Sequence, residues 1–228
     1  MGKGQKNVGK QAIDPRVLKL QKLSPFFHEM PQLFSKMAVF FEYQSWDKGD
    51  IIQEQGKQID NLYWIVDGTC KVSRRIPFIV RTHYGKVSYN PYTPGEPFVT
   101  PATRDGGLEE KLVEVQLQTQ ENLEEGHWFS YIPLAPKRIQ NFHFEKEDIY
   151  RYRVLYQSEY VVAADSKVNT VKITFEDFMD ISNAAVIKTL DEKSDLHRFD
   201  LRMLQNQYLD QRAWDNLKKT VVDEIVKK

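Results

Sequence analysis

Cysteine is nearly missing from this chain of 228 residues. The single one, Cys70, excludes an intramolecular disulfide and fits a reducing, intracellular setting. A net charge of +0 gives no basic field for wholesale binding to nucleic acid or to an anionic membrane. No apolar run approaches the roughly 18 residues that a membrane helix needs. The N-terminus is polar and basic, without the apolar stretch of a secretory signal. Lys6 stands where a myristoylation signal wants Ser or Thr. The five histidines, His28, His83, His127, His143 and His197, form no metal-binding pair, so no metal and no cofactor are expected. Gly-x-Ser-x-Gly, P-loop and kinase signatures are lacking, and the carboxylates are scattered, so no enzyme class is indicated.

What is present supports a packed core: 41% hydrophobic against 28% charged residues. Residues 1–22 carry six basic side chains and one acid, Asp14, and read as a loose basic arm. Phe27, Met30, Leu33, Phe34 and Met37 have the spacing of one helix over 24–37. Strands are expected over 39–43, 51–52, 62–66 and 69–73, divided by turns at Lys48-Gly49-Asp50 and Asp67-Gly68. Residues 76–111 hold five of the ten prolines among tyrosines and read as a long irregular insertion. Val113, Val115 and Leu117 alternate as a half-buried strand, and residues 136–156 read as a second insertion. Val161-Val162-Ala163 and Val171-Lys172-Ile173 are two more strands. Thr174-Phe175-Glu176-Asp177 starts a helix expected to run through Phe178, Ile181, Ala185 and Leu190. Trp214, Leu217, Val221 and Ile225 lie on one stripe of a C-terminal helix, which either closes the barrel or docks on another protein. Cys70, on a strand, reads as a packed core thiol.

Three blocks then carry a resemblance. Lys48-Gly49-Asp50-Ile51-Ile52, Gln55-Gly56 and Leu62-Tyr63-Trp64-Ile65-Val66-Asp67-Gly68 form the first. Gly126-His127-Trp128-Phe129-Ser130-Tyr131-Ile132-Pro133-Leu134 is the second, and Val161 to Phe178 the third. In this order they resemble the cyclic nucleotide-binding domain family, whose members include regulatory subunits of protein kinase A and bacterial catabolite activators. The resemblance implies an α+β, mainly β fold, an eight-stranded jelly-roll barrel flanked by N-terminal and C-terminal helices. It places the domain at 23–195 with insertions at 76–111 and 136–156, after the arm at 1–22 and before a helical extension at 196–228.

The ligand-binding positions that the resemblance implies are Gly126, Phe129, Ser130, Tyr131, Ile132, Pro133, Leu134 and Gln157, and they form a degenerate cassette. Ser130 stands for the family's glycine, Tyr131 for the glutamate that holds the ribose, and Pro133 for an alanine whose N–H meets the phosphate. Gln157 stands for the arginine whose planar fork matches two phosphate oxygens. Together these losses weaken binding by on the order of 10³-fold, so cyclic nucleotide is not an expected ligand. The chain is expected to be a non-enzymatic interaction or scaffold subunit with protein partners, no nucleic acid and no membrane. A Trp-x-x-x-Lys segment at Trp214–Lys218 looks like those of some ciliary and flagellar proteins, which points to a cytoplasmic, cytoskeletal or axonemal assembly. The alternative is a regulator that still binds cAMP or cGMP, with Arg138, Arg151 or Arg153 supplying the missing cation. A transcription activator would need a helix-turn-helix, and the C-terminal segment has no clear one.

Overall fold

A computed structural model describes residues 15–97, 108–130, 157–193 and 200–226. The chain divides into two compact units, Met1–Val72 with Gln120–Asp195, and Ser73–Thr119 with Leu196–Lys228. No helix among the described residues is long and apolar enough to cross a membrane.

The first unit opens with three short helices, α1 (Pro15–Leu23), α2 (Pro25–Glu29) and α3 (Pro31–Met37). Each begins on a proline, whose fixed φ and missing N–H suit the first helical turn. Proline also disfavours a helical residue before it, and Met30 takes φ −127, ψ 60. The single helix expected over 24–37 is therefore two. The loose arm expected over 1–22 is corrected in part as well. Residues 15–23 form α1, with Val17 and Leu20 buried one turn apart in the main core. Residues 1–14 lie outside the described residues.

Strands β1 (Glu42–Trp46), β2 (Ile51–Gln53), β3 (Asn61–Asp67) and the start of β4 (Cys70–His83) follow. Later come β7 (Trp128–Phe129), β8 (Val161–Ala164) and β9 (Val168–Thr174). One sheet has the order β1-β9-β3-β7, and in the other β8 lies between β2 and β4. Successive strands thus alternate between two sheets, with the late strand β9 between β1 and β3 and β8 between β2 and β4. That nesting is a jelly roll. The fold class is the expected one, mainly antiparallel β with helices before and after. β1 begins at Glu42, three residues later than expected, because Ala38 to Phe40 form a turn.

β3 is central to the core. Five consecutive residues, Leu62 to Val66, are buried. Trp64 lies opposite Trp128 on one side and Val171 on the other. Phe26 and Phe27 from α2 pack on its indole, with ring centroids 6.2 and 5.2 Å away, and Phe41 at 5.7 Å. Cys70 is fully buried, as a core thiol should be.

Helix α4 (Phe175–Ile181) starts where the capping pattern placed it: the Asp177 N–H donates to Thr174 Oγ1 at 3.1 Å. It stops earlier than expected. Ser182 is extended, and Asn183 Oδ1 accepts from the Val186 N–H at 3.0 Å to cap a separate helix, α5 (Ala184–Lys193).

The second unit corrects the reading of 76–111. β4 runs on to His83, pairs with β5 (Lys86–Pro91), and β6 (Glu109–Leu123) also pairs with β4. Ile76, Phe78 and Val80 alternate as buried residues on β4. Pro77 is tolerated because its carbonyl does the bonding, its oxygen accepting from Gln205 Nε2 at 3.0 Å, and Pro91 is the last residue of β5, at the end of the strand order. The same amide donates to the Tyr92 oxygen at 2.9 Å. Residues 98–107 lie outside the described residues. Helix α6 (Leu201–Val226) brings Leu204 and Tyr208 onto Ile76 and Phe78. Its outer stripe is exposed: Trp214 at 59%, Leu217 at 53%, Val221 at 45% and Ile225 at 67%.

Candidate functional site

The described part of the cassette, Gly126 to Ser130, follows β6 and contains β7. Gly126 has φ +85, and an added Cβ would sit 2.5 Å from the Leu23 carbonyl oxygen and 3.0 Å from the Ser24 nitrogen. Only glycine fits where the loop presses on the junction of α1 and α2. The loop is fastened to β3 on both sides. The Gly126 N–H donates to the Ile65 oxygen at 2.8 Å and the Ile65 N–H to the His127 oxygen at 2.9 Å. His127 folds back, its Nδ1 accepting from the Glu124 N–H at 3.0 Å.

Phe129 is 1% exposed and stacks on Tyr63 with centroids 5.1 Å apart and planes 5° apart. Burial holds the Tyr63 phenol above its ordinary range, with the charge of Lys172 acting against the shift. Lys172 itself is paired with Glu42 at 3.1 Å. Ser130 takes φ +61, a left-handed conformation that a non-glycine residue rarely adopts. This is the position where the resemblance places a glycine. The side chain is buried, and its Oγ donates to Gln53 Oε1 at 3.0 Å. Gln53, also buried, uses its Nε2 on the Glu54 oxygen at 3.2 Å. The groups gathered here are two neutral hydrogen-bonding side chains and a stacked ring pair. None of these four described side chains carries a charge.

Gln157 forms an isolated antiparallel bridge with Gln58, and its side chain is exposed. The next residue ties the bridge down, the Ser158 N–H donating to the Lys57 oxygen and the Gly56 N–H to the Ser158 oxygen, both at 2.8 Å. The structure thus places Gln157 across from the end of the turn that follows β2 and buries Ser130, Phe129 and Gly126. Tyr131, Ile132, Pro133 and Leu134 lie outside the described residues, as do Arg138, Arg151 and Arg153. Sequence reasoning missed Gln53. Its signal was a polar residue directly after Ile51-Ile52, in a strand too short to spare one.

Among the described residues no group of three or more His, Cys, Asp and Glu side chains is placed to hold a metal. Burial pushes the Cys70 thiol up to about 12, which makes it a poor nucleophile.

No known family profile matches this chain, and no curated protein does. Solved structures similar to it include the regulatory subunit of a cAMP-independent protein kinase A from Trypanosoma brucei, at 14% identity and a TM-score of 0.47, covering 86% of this chain and 51% of that one. The regulatory domain of Toxoplasma gondii protein kinase A with cAMP has 14% identity and a TM-score of 0.43, covering 78% and 49%. The N-terminal domain of a transcriptional regulator from Streptomyces coelicolor A3(2) has 12% identity and a TM-score of 0.40, covering 84% and 94%. The chain spans about half the length of the two kinase regulatory proteins. Each is a protein that this chain is similar to in fold; the jelly-roll assignment itself rests on the strand order.

Proposed function

We propose that this chain is a non-enzymatic interaction subunit, built on a jelly roll whose nucleotide-type cassette is occupied by its own side chains. The observation that carries the reading is the buried hydrogen bond from Ser130 to Gln53, made from a left-handed backbone position. A ligand phosphate entering there would displace a satisfied neutral pair that supplies no counter-charge. The exposed apolar stripe of α6 adds support, since apolar surface rimmed by polar groups marks interaction sites. The partners proposed are proteins. The assembly proposed is cytoskeletal or axonemal, supported by the segment Trp214–Lys218, in which Lys218 Nζ lies 5.9 Å from the indole and 2.7 Å from Asp215 Oδ1.

A thermal-shift titration tests the reading. A ligand at 100 times its Kd stabilises the native state by about 2.7 kcal/mol. Millimolar cAMP and cGMP are expected to leave the melting temperature unchanged. A rise of several degrees would restore the regulator that binds nucleotide through a substitute arginine.

A further inference from the structure

The β4–β5 hairpin ends in a feature that neither the barrel nor the cassette uses. Pairing continues to its last rung, His83 opposite Lys86, so the turn has only two residues, Tyr84 and Gly85. Both have positive φ, +47 and +74, the type I′ geometry for which Asn-Gly is the low-energy choice. Tyrosine at the first position is strained, and its ring covers nothing large. At 81% exposure it is the most exposed large hydrophobic residue among those described. Its ring meets His83 edge-on, with centroids 4.3 Å apart. Val87, 50% exposed, lies beside the turn.

The stretch of chain that forms this hairpin carries charge of one sign. From Gly68 to Gly95 the sequence holds Lys71, Arg74, Arg75, Arg81 and Lys86 and no acid. Glu114 engages Arg75 at 3.8 Å, and Glu110 engages Arg81. Lys86, at the tip, has no ion pair among the described residues. The base is rigid: Phe78, Tyr89 and Tyr208 pack with centroids 5.0 to 6.0 Å apart, and the Arg212 guanidinium covers the Tyr89 ring at 4.0 Å.

We propose that this hairpin is a docking finger, with Tyr84 as an aromatic anchor that enters an apolar pocket of a protein partner whose rim is acidic. Aromatic side chains in buried pockets supply most of the affinity at such contacts, and a stiff support lowers the ordering cost. The acidic rim follows from Lys86, which stands exposed at the tip. Nucleic acid fits less well, because one ring and one unpaired cation cannot track a phosphate backbone. The proposal rests on the reading of this chain as an interaction subunit, and it names the partner's chemistry.

The test uses the whole chain with Tyr84→p-benzoylphenylalanine, irradiated in an extract of its native cells. The expected adduct is with another protein, through an acid-rich peptide, and its yield collapses in 0.5 M NaCl, where charge pairs are screened. Retention of that protein by the unmodified chain is expected to fall on the order of 10-fold or more with Tyr84→Asn and with Lys86→Glu, and to survive Tyr84→Phe. Asparagine suits the turn, so loss of folding cannot imitate the result. No adduct, an adduct with nucleic acid or a second copy, or retention indifferent to Tyr84→Asn would overturn the proposal. Nucleotide binding in the thermal-shift titration would sink the proposed function and leave these outcomes unchanged, so the two failures are distinguishable.

Discussion

Ser130 and Gln53, 77 positions apart, meet through a hydrogen bond of 3.0 Å in the buried interior. The bond joins the end of the cassette to the short strand β2. It explains how a serine persists at φ +61: a left-handed non-glycine residue costs roughly 1–2 kcal/mol, and a satisfied buried hydroxyl offsets much of that. Replacing Ser130 should therefore separate two effects. Ser130→Ala keeps the strain and strands the Gln53 oxygen, and it should cost about 1–3 kcal/mol in urea unfolding. Ser130→Gly loses the same bond but relieves the backbone, so it should cost about 1 kcal/mol less. Equal losses in the two variants would show that the backbone there is unstrained.

Gly126 and Gly49 make a matched pair for a second experiment. Both have positive φ, but a Cβ on Gly49 meets nothing within 4 Å, whereas one on Gly126 collides with the Leu23 carbonyl. Gly49→Ala should cost about 1 kcal/mol, from backbone strain alone. Gly126→Ala should cost about 3 kcal/mol or more, because α1 and α2 must shift off the core. Denaturation midpoints of the two variants decide it, and similar midpoints would contradict the close approach.

Cys70 links burial to alkaline stability. Its thiol is pushed from an ordinary value of 9.0 to about 12 by burial. The unfolded chain then releases this proton first. The contribution to stability is complete below pH 9.0 and is lost as pH rises from there toward about 12. Cys70→Ala should flatten that part of the stability-against-pH curve. In the native protein at pH 8, a thiol reagent should react only as fast as the barrel opens; instant reaction would mean an accessible thiol.

Tyr84 gives the one substitution expected to stabilise. Tyr84→Asn puts the preferred residue into a type I′ turn and removes a ring that is 81% exposed. A gain of about 0.5–1 kcal/mol is expected, read as a higher melting temperature. A drop would mean that the contact with His83 holds the hairpin together.

Much of this fold could be read from residue order. Val161-Val162-Ala163 and Val171-Lys172-Ile173 are strands because apolar β-branched residues lie between turn formers. Thr174 caps α4 as its spacing from Asp177 implies. Proline was the source of the largest misreading. Pro77 and Pro91 disguised a strand pair whose alternation of Ile76, Phe78 and Val80 is plain once the Pro77 carbonyl is seen to carry a bond. The break at Ser182 was hidden because the apolar spacing continues across it. In the site, the missing charges are legible in the sequence at Tyr131 and Gln157 and the missing glycine at Ser130, since each is a substitution within a recognised pattern. The role of Gln53 is not, because a contact across 77 positions leaves no periodicity behind.

The account's central claim is that the cassette is filled by the protein itself. Isothermal titration calorimetry of the whole chain with cAMP and cGMP, carried to millimolar ligand, tests it most directly. The account predicts only heats of dilution with either nucleotide. Saturable heat with a Kd in the micromolar range or tighter would contradict it, and would show that a cation reaches the phosphate despite the Ser130–Gln53 pair.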